Sequence, residues 1–236
     1  ETVLLLGQVT DTQDTGGEVL ETKNTDALTE EQVREVICGF VGRYEQIPPM
    51  YSALKVNGKK LYELARQGIE VERKARPVQI HEICIKEINL PRVKMEVTCS
   101  KGTYIRTLCH DIGQKLQCGG CMEELVRTRV SRFRIEESFR LEQITRLRDE
   151  GKLDNILVPI DEMFLQYKKV NVKEKYVSLV YNGNPFFKNQ AEETDDLAEE
   201  EFVRVYDNQN RFIGVYGYNK EKKMFKLIKM FFDKGE

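Results

Sequence analysis

The chain contains no apolar run near the ~18 residues that a membrane helix needs, and no apolar leader opens it. A bilayer span and a secreted precursor are therefore not expected, and the cytoplasm is the expected compartment. It has only two histidines, and its six cysteines are unevenly spaced, which does not make a disulfide framework. Cys118 and Cys121 form a C-x-x-C pair with Cys99, Cys109 and His110 upstream, yet no second C-x-x-C or paired histidines complete a zinc site. A redox pair would need a thioredoxin-like strand-to-helix setting. The chain also lacks an excess of charge: 37 Lys and Arg against 39 Asp and Glu give −2. A uniformly basic nucleic-acid coat is thereby excluded.

The balance hides an uneven distribution. Residues 101–148 are rich in Arg, whereas 191–201 are strongly acidic. Phosphate responds to the local field, so a basic face is compatible with a neutral total. The acidic run reads as a solvated loop. With 236 residues the chain can bury one large core or two smaller ones.

Local patterns predict the elements. Val3–Gly7 reads as a strand, and Thr10–Gly17 is polar and turn-rich. Thr29 and Gln32 have capping-box spacing ahead of an apolar stripe at Val33, Val36, Ile37 and Phe40. Lys59–Gln67 reads as a short helix closed by Gly68, and Val78–Leu90 and Val93–Cys99 as paired strands turned by Pro91 and Arg92. Ile105, Leu108, Ile112 and Leu116 recur at helical spacing, Met122–Thr128 reads as a shorter helix or turn, and Ser138–Glu150 as another helix. Three strands near 202–206, 211–218 and 224–231, with short polar turns, end the chain as a small β-barrel pattern.

Two runs carry chemistry. Ser100-Lys101-Gly102-Thr103-Tyr104-Ile105-Arg106-Thr107-Leu108 places a phenol ring and a guanidinium two residues apart. If that part is extended, both side chains reach one pocket. The ring can stack on a base, and the planar cation can hold a carboxylate or phosphate in bidentate fashion. The second run extends from Gln46 to Gly68 through Pro48-Pro49-Met50-Tyr51-Ser52-Ala53-Leu54-Lys55. Residues 43–76 carry Arg43, Lys55, Lys59, Lys60, Arg66, Arg73, Lys74 and Arg76 interleaved with Tyr44, Tyr51 and Tyr62. Cations between aromatics suit phosphates and unstacked bases. Arg127, Arg129, Arg132 and Arg134 add positive charge.

These runs, with Gly7–Asp14 and Cys118-Gly119-Gly120-Cys121 leading to Leu125, Val126 and Arg127, resemble the TruB family of tRNA pseudouridine synthases. The resemblance covers Glu1 to about Phe139. It implies an α+β catalytic core over 1–165, with an RNA-binding thumb inserted at about 43–77. A small β-barrel domain over 166–236 resembles a PUA module, and an unrelated β module is the alternative there. The implied activity is isomerisation of the T-loop uridine of tRNA (position 55) by base flipping. Arg106 would pair with the catalytic carboxylate, and Tyr104 would pack near the flipped base. Leu125 would line the base pocket and offer backbone hydrogen bonds. Asp14 would bind in the cleft without attacking, with Asp11 the second choice. Tyr51, Ser52, Lys55, Lys59, Lys60, Arg66 and Arg127 would contact RNA. Neither a metal nor an organic cofactor is implied. The T-arm of tRNA is the expected partner, with no obligate protein partner and a monomeric state.

One departure from the family pattern stands out. The nucleophilic Asp of the family sits in a motif of the form G-x-L-D-P-x-A-x-G, and no such run occurs among these residues. Its Lys-x-Tyr strand would end just before Glu1. The expectation is that the intact parent is an enzyme and that these residues alone do not turn over. The rival readings are a non-catalytic tRNA-binding or RNA-folding module, a guide-dependent synthase within a ribonucleoprotein, and a zinc-containing module.

Overall fold

A computed structural model describes residues 1–56, 58–192 and 197–232. The chain condenses into two compact units, Glu1–Ser138 and Phe139–Glu236. This division lies ahead of the sequence boundary at 165/166.

In the first unit the chain runs through β1 (Thr2–Leu6), β2 (Gln8–Thr10), β3 (Val19–Thr22), α1 (Glu30–Cys38), β4 (Gly42–Gln46), β5 (Lys55–Val56), β6 (Lys59–Lys60) and α2 (Leu61–Ala65). It continues through β7 (Arg76–Asn89), β8 (Arg92–Cys99), α3 (Ile105–Lys115), β9 (Gly120–Leu125), β10 (Arg129–Val130) and β11 (Phe133–Arg134). Five strands form an antiparallel sheet in the order β4-β7-β8-β1-β9. In β1 every second residue is buried, the period that a sheet with one covered face demands. Leu4 and Val93 sit opposite each other in the register. Both belong to a core completed by Ile80 and Met95 of the sheet, Val33 and Ile37 of α1, and Leu108, Cys109 and Ile112 of α3.

The helix starts follow from local chemistry. The Gln32 N–H donates to Thr29 Oγ1 at 3.2 Å, and the Thr29 N–H donates to Gln32 Oε1 at 3.0 Å. Two of the donors left open at the start of α1 are thus satisfied. The stretch from Met122 corrects a sequence expectation. Met122, Leu125 and Val126 have helical spacing, yet Gly120–Leu125 is a strand paired with β1. The open edge of β1 captures it, and cross-strand hydrogen bonds outweigh a weak local preference.

In the second unit, α4 (Leu141–Asp149) is followed by short 3-10 turns, then β12 (Lys168–Asn171), α5 (Val177–Tyr181), β13 (Phe186–Phe187), β14 (Phe202–Tyr206), β15 (Phe212–Asn219) and β16 (Met224–Met230). The sheet order is β12-β14-β15-β16-β13, with β12 and β14 parallel. The three C-terminal strands lie where the alternation puts them. The short strands β12 and β13 carry too few residues for a period to show. The core centres on Phe186, Tyr216 and Phe225, with Val203, Val205 and Ile213 around them. Within the acidic run, Ala191 and Leu197 are buried in this core, so the run is not a solvated loop throughout. Residues 193–196 of that run lie outside the described residues.

Candidate active site

The site forms where the turn after β2 meets the first turn of α3. Arg106, the second residue of α3, is about one-quarter exposed. Its Nη1 donates to Asp14 Oδ2 at 2.9 Å and to the Thr12 carbonyl at 3.3 Å, and its Nη2 donates to the Tyr51 carbonyl at 2.7 Å. The guanidinium is thus fixed by two distant segments, 12–14 and the run after Pro48-Pro49. Thr107, the next residue, is buried and donates to Gln13 Oε1 at 2.7 Å. Two successive side chains of α3 therefore grip one loop.

That loop is preset by its own hydrogen bonds. Asp14 Oδ1 accepts from Thr12 Oγ1 at 2.8 Å and from the Gly16 N–H at 3.0 Å. Asp11 Oδ1 accepts from the Glu18 N–H at 2.8 Å. A Cβ at Gly17 would lie 2.2 Å from Asp11 Oδ1 and from Thr12 Oγ1, so a larger residue there would push these two side chains from their places in the loop. Gln13 has φ of +64°, a conformation costly for a side-chain-bearing residue. Backbone bonds hold it there: the Met122 N–H donates to the Gln13 carbonyl at 3.0 Å, and the Thr15 N–H to the Met122 carbonyl at 3.0 Å. The β9 edge thereby locks the loop that presents Asp14.

The extended reading of the Tyr104–Arg106 run needs correction. The strand ends at Cys99, Tyr104 caps α3, and Arg106 is already helical. Alternation therefore does not put the two side chains on one face, because a helix turns about 100° per residue. Tyr104 is partly buried, and its backbone is held by the Gln46 side chain.

The other predicted site residues fall into two groups. Tyr51 joins the cluster through its carbonyl, and its hydroxyl donates to Asp11 Oδ2 at 3.4 Å. Ser52 is buried, and its carbonyl accepts from the Tyr62 N–H at the head of α2. Lys55, Lys59 and Lys60 stand on the β5–β6 hairpin, where Lys55 pairs with Lys60 in the register. Lys60 Nζ donates to Tyr62 Oη at 3.1 Å, and Lys60 and Arg66 both lie over the Tyr62 ring. A cavity of about 280 Å³ opens beside the hairpin. Its lining joins apolar Pro48, Leu54 and Leu61 to the cations Lys55, Arg73, Lys74 and Arg76 and the carboxylate of Glu72. Leu125 ends β9, half exposed and opposite Thr2, and Arg127 follows in exposed chain.

The Cys-Gly-Gly-Cys turn serves packing. A Cβ on Gly113 of α3 would lie 2.1 Å from the Gly120 nitrogen. Here the helix backbone touches the strand backbone. Burial pushes the Cys109 thiol up to about 12 and the Cys121 thiol up to about 11, which disfavours reactive thiolates at neutral pH. Among the described residues no group of three His, Cys, Asp or Glu side chains could hold a metal ion. No helix among them is long and apolar enough to cross a membrane.

Sequence reasoning missed Thr12, Gln13, Gln46 and Thr107. Each is a common polar residue whose partner lies far along the chain or on a turn backbone, so no spacing signals it.

The chain is similar to known proteins. Residues 1–105 match the TruB family pseudouridylate synthase N-terminal domain, 106–165 the tRNA pseudouridylate synthase B C-terminal domain, and 170–225 a PUA-like domain. A tRNA pseudouridine synthase B of Clostridium kluyveri is 44% identical over 97% of this chain and 76% of its own length. This chain belongs to the TruB family. The Lachnoclostridium phytofermentans tRNA pseudouridine synthase B is 46% identical over 81% of the chain, a match that spans 66% of that relative. The chain thus spans about two-thirds to three-quarters of these relatives. Among solved structures, one of a Cbf5-Nop10-Gar1 complex superposes with a TM-score of 0.65 over 99% of this chain and 66% of the other, at 20% identity. That likeness supports the pseudouridine synthase fold.

Proposed function

We propose that the protein isomerises the T-loop uridine of tRNA to pseudouridine. The N1–C1′ bond of the nucleotide breaks, the base turns, and C5 bonds to C1′. The C5 proton leaves to solvent and N1 gains one. The observation that carries this reading is the Arg106 guanidinium, fixed at the mouth of α3 by Asp14, Thr12 and Tyr51. A cation so held keeps carboxylates at the sugar ionised and costs no reorganisation during reaction.

Asp14 binds and orients in this scheme. Its Oδ1 is occupied by the loop and its Oδ2 by Arg106, which leaves a poor nucleophile. Attack belongs to the Asp of the family's G-x-L-D-P segment. Tyr104 packs near the extruded base, and Leu125 lines its pocket. Lys55, Lys59, Lys60, Arg66 and Arg127 neutralise RNA phosphates around it, with Tyr51 and Ser52 shaping the wall. The PUA-like domain adds RNA contacts. Identity of 40–46% to relatives named tRNA pseudouridine synthase B favours free tRNA as substrate over a guide-dependent assembly.

The test is tritium release from tRNA labelled at uridine C5, using the full-length protein. Release from the T-loop uridine is expected. Tight T-arm binding without release would replace this reading with the non-catalytic RNA-binding one.

A further inference from the structure

Gln46 ends β4 and is 1% exposed. Its side chain holds both backbone groups of one residue. Oε1 accepts from the Tyr104 N–H at 2.8 Å, and Nε2 donates to the Tyr104 carbonyl at 3.1 Å. Nε2 also donates to the Tyr44 hydroxyl. Gln46 and Tyr104 are 58 residues apart in the chain.

The position of this clamp is unusual. Tyr104 is the N-cap of α3, where Ser, Thr, Asp or Asn ordinarily closes the first turn with a side-chain oxygen. Tyrosine offers no such bond here. The Tyr104 carbonyl already accepts the first intrahelical bond, from the Leu108 N–H at 3.0 Å. A buried amide brought in from β4 therefore fixes the chain where the helix starts. Arg106 follows two residues later. On the other side, Tyr51 lies five residues beyond Gln46, across Pro48-Pro49, and accepts from Arg106. One side chain thus sets the origin of the Arg106 donor and of one of its acceptors.

We infer that Gln46 is a positioning residue of the active site. It ties the strand leading into the basic insertion to the start of α3, and so holds Arg106 in its working geometry. This rests on the proposed reaction. An amide is required because the task needs one acceptor and one donor at the same place, on a single planar group.

The experiment uses the full-length protein and its Gln46→Ala and Gln46→Glu variants, with single-turnover pseudouridine formation and tRNA Kd measured separately. Gln46→Ala is expected to slow the single-turnover rate by about 10- to 100-fold, the usual effect of misplacing a reacting group, with little change in Kd. Gln46→Glu keeps the acceptor for the Tyr104 N–H but can donate to the Tyr104 carbonyl only when protonated. Its rate relative to wild type should therefore fall as pH rises through the pKa of the new carboxyl. A pH-independent ratio, or a Gln46→Ala defect confined to Kd, overturns the assignment. If Gln46→Ala does not fold, the Gln46→Glu profile decides alone. Amide hydrogen exchange at Tyr104 reads the clamp without turnover: protection should be lost in Gln46→Ala, which removes the acceptor, and kept in Gln46→Glu, which retains it. Unchanged protection in Gln46→Ala overturns the inference even if the wild type makes no pseudouridine, an outcome that would by itself sink only the proposed reaction.

Discussion

Removing the Arg106 guanidinium tests whether the loop and helix are one electrostatic unit. The side chain makes three hydrogen bonds, one to a carboxylate that is itself only about one-quarter exposed. Breaking a fully buried pair by deleting one partner costs about 3–5 kcal/mol, because the other charge stays buried and unpaired. Partial exposure lets water reach Asp14 in the variant, so about 2–3 kcal/mol is expected for Arg106→Ala. For a chain of this size that corresponds to roughly 5–10 °C in Tm. The contribution of the pair itself comes from a cycle with Asp14→Asn, followed by urea unfolding of the first unit's transition. A coupling energy of about 1–2 kcal/mol is expected, against additivity within about 0.3–0.5 kcal/mol for independent sites. A coupling inside that additive range would show that the 2.9 Å contact carries no energy and that loop and helix are not one electrostatic unit. In tRNA assays the same Arg106→Ala variant should lose turnover while binding persists.

Three further outcomes follow from the same geometry. Gly113→Ala should destabilise by about 3 kcal/mol or more, the upper end of overpacking costs, since its Cβ would meet the Gly119-Gly120 backbone and no flexible side chain can yield; a melt within 1 °C of wild type would refute the close packing of α3 on β9. Burial raises the Asp111 carboxyl to about 6 from an ordinary 3.8, so the folded state resists its ionisation and loses stability as pH rises from about 4 to about 6. Asp111→Asn should accordingly stabilise above pH 6, on the order of 1 kcal/mol after allowance for its partial exposure, and leave stability near pH 3.5 unchanged; equal effects at both pH values would rule out this origin. Lys59→Glu with Lys60→Glu should weaken tRNA binding and flatten the salt dependence of log K by about 1–2, from two fewer phosphate contacts; an unchanged slope would move the RNA surface off the hairpin.

Much of this molecule was legible without coordinates wherever the signal is local. The Thr29–Gln32 box, the 3.6-residue stripe of α3, the β7–β8 pair and the C-terminal alternation each join elements that are neighbours in sequence, where side-chain chemistry and backbone period act directly. The motif runs likewise carried the family resemblance, because they are continuous in sequence. The fate of Met122–Leu125 was not legible: a stretch with helical spacing became part of strand β9 because β1 offered an unpaired edge. The short β12 and β13 are strands only because β14 and β16 lie beside them.

Local pattern was enough to show the apolar stripe of the helix that became α3, the cluster of cations around the insertion, and a polar turn after β2. Those are consequences of composition and period. Tertiary structure alone decided which of Asp11 and Asp14 receives Arg106, since both carboxylates occupy the same turn and only the path of α3 selects one. It also decided that Gln46, an ordinary strand-end glutamine in the sequence, grips the backbone of a residue 58 positions away. Hydrogen bonds between distant segments depend on a closed chain, and no local pattern encodes the closure.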